Sequence, residues 1–258
     1  MNKQDKGNGK RGIEWTMYTW NPVGGCRHAC KWEMPDGSVS QCYAKSVAEG
    51  VAMAAYPEGF EHHYFKPMIL DEPYKLKTPA RIFLDSMSDL MGHWVPDDDI
   101  RRVFDACRVA DWHQFQLLTK NPSRLLQFGA DIPENVWIGV SLPPTFMWGK
   151  RLSAAVQMRM FAKTLRIIGD LHQLPNIKWL SLEPLSFDAA AIMAANMDKL
   201  PDWIVIGAAS TGRNLYQPDP AHVGRILHIA DMRNIPVFFK GNLKWEPRRE
   251  EYPQVVKV

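Results

Sequence analysis

The sequence has no run of 18 consecutive apolar residues, which excludes a transmembrane helix. It has no surplus of one charge. Its 31 Lys and Arg face 28 Asp and Glu, a net +3 that neither establishes nor excludes a nucleic-acid partner. No apolar segment follows the basic start MNKQDKGNGKR, so no signal peptide is expected and a cytoplasmic setting is. Lys3, Lys6, Lys10 and Arg11 make residues 1–11 a basic tail expected to be disordered. No Ser/Gly linker, composition break or internal repeat divides the 258 residues. One domain is therefore expected over 12–245, with a C-terminal extension over 246–258. Hydrophobic residues at 46% and charged residues at 23% exclude wholesale disorder and supply a sizeable core.

What is present is a series of short apolar runs: Trp15–Trp20, Arg81–Ser86, Phe115–Thr119, Val136–Ser141, Lys178–Leu182, Trp203–Gly207 and Val237–Lys240. They are nearly continuous rather than alternating, as strands buried on both faces are. Helical patterns lie between them at Gln41–Ala55, Asp97–Ala110, Pro122–Phe128, Lys150–Leu171 and Ala221–Asn234. Repeated βα units predict an α/β fold, a complete or partial (β/α) barrel of six or seven parallel strands. An open doubly wound sheet is the alternative. Each apolar run ends on small polar or charged residues, which predicts a polar cavity at the C-terminal rim of the strands.

Cysteine is scarce, yet three of the four fall together: Cys26, Cys30 and Cys42. A reducing compartment disfavours disulfides and shifts the reading toward metal or catalysis. Three thiolates can hold three irons of a [4Fe–4S] cube and leave the fourth open. With His28 they can equally form a Cys3His zinc site, and inert buried thiols are a third reading. Cys42 opens a helix, where N–H groups favour a thiolate.

Asn21-Pro22-x-x-Gly25-Cys26-x-His28-x-Cys30, followed by Cys42-Tyr43-Ala44, resembles the cluster loop of radical S-adenosylmethionine (SAM) enzymes. In the branch it resembles, two residues separate the second and third Cys. Here the gap is eleven, the insertion 31–41 within a loop 24–43, and Pro35-Asp36-Gly37 inside it signals a turn, so a hairpin-like excursion is expected. Ile13-Glu14-Trp15-Thr16, Ser86-Met87-Ser88-Asp89-Leu90, Leu118-Thr119-Lys120, Trp137-x-Gly139-Val140-Ser141, Leu182-Glu183-Pro184-Leu185 and Phe238-Phe239-Lys240 extend the likeness. They resemble a phage-associated three-Cys-motif family with the plan of spore photoproduct lyase-like radical SAM proteins.

The resemblance implies a [4Fe–4S] cluster on Cys26, Cys30 and Cys42. Its open iron would chelate SAM, whose reductive cleavage yields a 5′-deoxyadenosyl radical that abstracts hydrogen from substrate. It implies SAM contacts at Ser86, Ser88, Asp89, Ser141, Glu183 and Tyr43. Lys120 and Lys240 would meet carboxylate or phosphate, Lys120 with a catalytic role beside Tyr43. It also implies an external one-electron reductant of flavodoxin or ferredoxin type. Phage association points to a nucleobase, already modified or in DNA, and to rearrangement or base modification in a host cytoplasm, with isomerase the favoured subtype. A zinc-stabilised nucleic-acid-binding module is the alternative.

Cys107 reads as a buried small hydrophobe, or as a hydrogen-atom donor. His62-His63 read as surface or substrate-loop residues, since neighbours on a helix do not face the same way. Met147 and Trp148 are the expected pocket-lining apolar residues. Lys244, Trp245, Arg248 and Arg249 are candidates to track phosphates and stack bases.

Overall fold

The computed structural model describes residues 1–5, 12–211 and 214–254. All seven expected strands form, and they lie side by side in chain order. They are β2 (Tyr18–Trp20), β3 (Arg81–Leu84), β4 (Gln114–Thr119), β5 (Val136–Ser141), β6 (Lys178–Leu182), β7 (Trp203–Ile206) and β8 (Val237–Phe239). Every pair among them is parallel. Where the sequence reads a disordered leader, Asn2–Lys3 instead add an eighth strand, β1, antiparallel to β2. A β2 edge offers unpaired backbone groups that the first residues cover; residues 6–11 lie outside the described residues.

The outer strands β1 and β8 do not pair with each other among the described residues, so the sheet is open and the closed barrel is not formed. Helices α1 (Tyr43–Glu49), α2 (Asp97–Val109), α3 (Pro122–Phe128), α4 (Ala154–Asp170), α5 (Ala189–Ala194) and α6 (Pro220–Met232) alternate with the strands. α4 starts later than its pattern suggests, because Phe146–Met147 and Lys150–Arg151 form a two-residue hairpin first. Among the described residues no helix is long and apolar enough to cross a membrane.

Side-chain alternation sorts the strands into two cores. Ile82, Leu84, Phe115, Leu117, Ile138, Val140, Leu180, Leu182, Ile204 and Ile206 face the helices and join one large, mostly aliphatic cluster. Phe83, Trp137, Trp179, Trp203 and Phe238 face the other side, where Trp15 completes an aromatic cluster. Ring centroids there stand 5.0 Å apart for Trp15–Trp179 and 5.5 Å for Trp137–Trp203. Gly139 is opposite Trp179 across the β5–β6 pair. A Cβ at Gly139 would sit 2.2 Å from that indole, so only glycine leaves room for the ring.

Candidate active site

A cavity of about 430 Å³ opens at the C-terminal ends of the parallel strands, above the aromatic core, with Trp15, Phe83 and Leu118 among its lining. Cys26, Cys30, Cys42 and Tyr43 line it, and so do Ser86, Ser88, Asp89, Lys120, Ser141, Glu183 and Lys240. These residues from six separate stretches of sequence thus reach one space, because parallel strands end on the same rim.

The cysteine loop is threaded tightly. Gly25 has φ of +86°, and a Cβ there would lie 1.8 Å from the His62 carbonyl oxygen. Backbone N–H groups of Gly25 and Cys26 donate to the carbonyls of Met87 (3.1 Å) and Phe60 (2.8 Å). The insertion is a hairpin: Lys31–Glu33 pairs antiparallel with Val39–Gln41, with Lys31 opposite Gln41. The next residues outward are Cys30 and Cys42, and the Cys42 N–H donates to the Cys30 carbonyl at 3.1 Å. A gap of eleven residues therefore closes on itself and leaves the two cysteines as neighbours.

The segment after β3 braces this loop. The Ser86 hydroxyl donates to Asn21 Oδ1 at 3.0 Å and the Ser88 hydroxyl to the Gly25 carbonyl at 2.7 Å. Asp89, fully enclosed, has its Oδ2 2.7 Å from His28 Nε2 and accepts the Lys120 N–H at 2.8 Å, while its Oδ1 accepts the Met91 N–H at 3.0 Å. Burial works to raise the Asp89 pKa, but the hydrogen bond and charge of His28 and the Lys120 N–H outweigh it and hold it below the ordinary value. The polar atoms of these three predicted cofactor contacts thus hold the loop in place.

Cys30 is buried, and Cys26 and Cys42 are half-buried. Burial pushes Cys26 well up, helped by the charge of Asp89. Burial pushes Cys30 up to about 12 against the opposing charge of Lys120. For Lys120, burial lowers the pKa, yet the fields of Cys30, Cys42, Asp89 and Cys26 win and raise it. One cation therefore faces three potential thiolates. Three cysteines lining one cavity are the ligand type that an iron–sulfur cube takes. Among the described residues no three His, Cys, Asp or Glu side chains gather as one metal ion requires. The nitrogen of His28 nearest a partner is engaged by Asp89.

The far wall is sparser. Glu183 and Lys240 form an ion pair there, and Gly207 leaves space beside it. After β7, Asn242 holds the Ala208 backbone through bonds of 3.1 and 2.8 Å.

Several sequence-level candidates lie elsewhere. Cys107 is fully buried in the aliphatic core on α2, outside the cavity lining. Met147 is buried and Trp148 is exposed at the tip of its hairpin, where φ of +54° and +72° at Trp148 and Gly149 form the two-residue turn. Trp32 and Met34, on the hairpin between the cysteines, line the cavity instead. Arg248 donates to the carbonyls of Lys240, Leu243 and Phe239, and Arg249 pairs with Asp231, so both guanidiniums serve the C-terminal segment. His62 and His63 part company, toward Glu58 and Asp99.

Asp85 is a wall residue the sequence does not single out. Its φ is +58°, a region Asp tolerates, and its Oδ1 accepts the Val23 N–H at 2.9 Å. Burial pushes its carboxyl well above the usual range. Only the pairing of β2 with β3 brings Val23 over it, so no local pattern announces it.

The family model described as "Protein of unknown function (DUF5131)" matches residues 10–255. No curated protein matches the chain by sequence. A tyrosine-to-phenylalanine mutant of spore photoproduct lyase shares the fold with a TM-score of 0.55 at 9% identity, covering 93% of this chain and 78% of that one. Spore photoproduct lyase complexed with dinucleoside spore photoproduct aligns with a TM-score of 0.49 at 10% identity, covering 90% of this chain and 64% of that one. The chain thus spans a little under two thirds of that lyase's length.

Proposed function

The chain belongs to the DUF5131 family, and we propose that it is a radical SAM enzyme acting on a nucleobase. The observation that carries this reading is the meeting of Cys26, Cys30 and Cys42 in one cavity at the C-terminal rim of a parallel sheet, with Lys120 as their counter-charge. The sheet shares its fold with spore photoproduct lyase, which supports the plan and says nothing of the chemistry by itself.

Cys26, Cys30 and Cys42 would hold three irons of a [4Fe–4S] cluster and leave one for SAM. When bound, that group supplies the electron that cleaves SAM to methionine and a 5′-deoxyadenosyl radical able to abstract hydrogen from substrate. The protein's own part is to position and to enclose. Ser86, Ser88 and Asp89 fix the loop; Lys120 offsets negative charge on the thiolates and on an incoming carboxylate; the hairpin 31–41 keeps water from the space below it. Ser141, Glu183 and Tyr43 are proposed as SAM contacts, being polar groups of the same lining. A modified pyrimidine in DNA, rearranged or otherwise altered, is the proposed substrate, with a flavodoxin or ferredoxin as reductant.

Anaerobic reconstitution tests the reading. The expected protein is brown, absorbs near about 400 nm, holds about four irons and four sulfides, and releases 5′-deoxyadenosine with dithionite and SAM. Cys26→Ala, Cys30→Ala and Cys42→Ala should each abolish that release and lower the iron content. A protein that takes up zinc and no iron would overturn it.

A further inference from the structure

The insertion 31–41 does more than return the chain to Cys42. Trp32, Met34 and Ser40 turn to one side of the hairpin and line the cavity, while Lys31, Glu33 and Val39 turn outward and are exposed. The hairpin is anchored on both flanks. Lys31 pairs with Phe146 and Arg151 bonds Glu33 on one side; the Ser40 hydroxyl donates to the Ser210 carbonyl at 3.0 Å and the Tyr216 hydroxyl bonds Asp36 on the other. A half-buried indole is thereby held over the cavity on a fixed support. The Lys120 ammonium stands 5.8 Å from the centre of its ring.

A flat apolar ring with a cation beside it matches a ligand that carries a planar heterocycle and an anionic group a short reach apart. We infer that Trp32 is the platform on which a nucleobase ring stacks in this cavity, with Lys120 meeting the anionic group of the same ligand. Two sources share that chemistry: the adenine and carboxylate of SAM, and the base and phosphate of a nucleic-acid substrate. The inference deepens the proposed function and rests on it for the SAM source only.

The test is equilibrium binding to the reconstituted full-length protein, with SAM in one arm and the dinucleotide thymidylyl-thymidine in the other. Trp32→Ala should weaken one ligand about tenfold or more, the range of a lost base–aromatic stack. Trp32→Phe, which keeps a ring, should bind nearly as the parent; Trp32→Leu, which keeps bulk without a π face, should not. That contrast decides the matter if Trp32→Ala misfolds. Asp36→Ala, which loosens the hairpin tip and leaves the indole, should stay within about twofold. A loss confined to SAM assigns the ring to the cofactor's adenine; a loss confined to the dinucleotide assigns it to substrate. Unchanged binding in Trp32→Ala and Trp32→Leu overturns the inference. So does an equal loss in Asp36→Ala, or a parent protein that binds neither ligand. A parent protein without iron overturns the proposed function, and the dinucleotide arm still decides Trp32.

Discussion

The two walls of the cavity are built on opposite plans. On the wall made by the cysteine loop and the ends of β3 and β4, polar side chains are engaged by the protein: half-buried Ser86 on Asn21, half-buried Ser88 on the Gly25 carbonyl, and buried Asp89 on His28, Lys120 and Met91. On the wall made by the ends of β6, β7 and β8, the residues are small or partly solvated, and the principal charged feature is the partly buried Glu183–Lys240 pair. A wall braced in advance suits a resident group whose geometry must not vary. A loosely furnished wall suits a ligand that enters and leaves, since its groups exchange water for ligand at small cost.

The largest expected effect falls on the braced wall. Asp89→Ala removes the acceptor from a buried pair, leaving His28 and the Lys120 N–H without it. Breaking such a pair costs about 3–5 kcal/mol, read as a lower urea midpoint at unchanged slope. Because the folded-state pKa of Asp89 is depressed, its contribution is present above the unfolded carboxylate value of about 4 and is lost as pH falls through the folded value. The parent should therefore lose stability on acidification more steeply than Asp89→Ala. A loss below about 1 kcal/mol would erase the difference between the walls.

Asp85 gives the same wall the opposite pH dependence. Its carboxyl is raised by burial, so the folded state prefers the proton. That preference favours folding fully below about pH 4, the unfolded value, and is lost as pH rises toward the folded one. Asp85→Asn keeps the Oδ1 acceptor for Val23 and has no charge to bury. It should be more stable than the parent at pH 8, with the gain shrinking by pH 5, as measured by thermal melting at both pH values. No gain at pH 8 would place the carboxylate in a wetter setting than the structure does.

How much of this was legible in the sequence differs by region for physical reasons. Strands such as Val136–Ser141 are buried along their whole length, so their apolar runs stand out against any loop. The division of those strands into an aliphatic and an aromatic face is a matter of register with neighbours, as Gly139 opposite Trp179 illustrates, and no single run contains it. The return of Cys42 to Cys30 was legible in Pro35-Asp36-Gly37 between them, whereas spacing alone left the role of the three cysteines open between cluster, zinc and inert thiols. Trp32 was not, because a half-buried Trp on a three-residue strand carries no pattern of its own. Met147 and Trp148 were misread as pocket-lining because the turn that exposes the Trp148 indole depends on positive φ at Trp148 and Gly149 and on pairing across it. Arg248 and Arg249 look like a basic patch in one dimension; their partners Asp231 and the carbonyls of β8 and its following loop become visible only in three.

The smallest effect on stability is expected on the open wall. Lys240→Met breaks the Glu183 pair, whose side chains are 20% and 25% exposed. Partly solvated pairs of this kind contribute about 0–1 kcal/mol, so the melting temperature should move little. The remaining carboxylate keeps access to water and leaves no buried charge behind. Binding is where Lys240 should register. If the open wall receives the exchanging ligand, Lys240→Met should raise the dissociation constant of an anionic ligand severalfold while leaving iron content unchanged. Cys30→Ala should do the reverse, lowering iron content first. A Lys240→Met protein that loses iron, or melts as early as Asp89→Ala, would make the two walls one structure and remove the reason for assigning them different occupants.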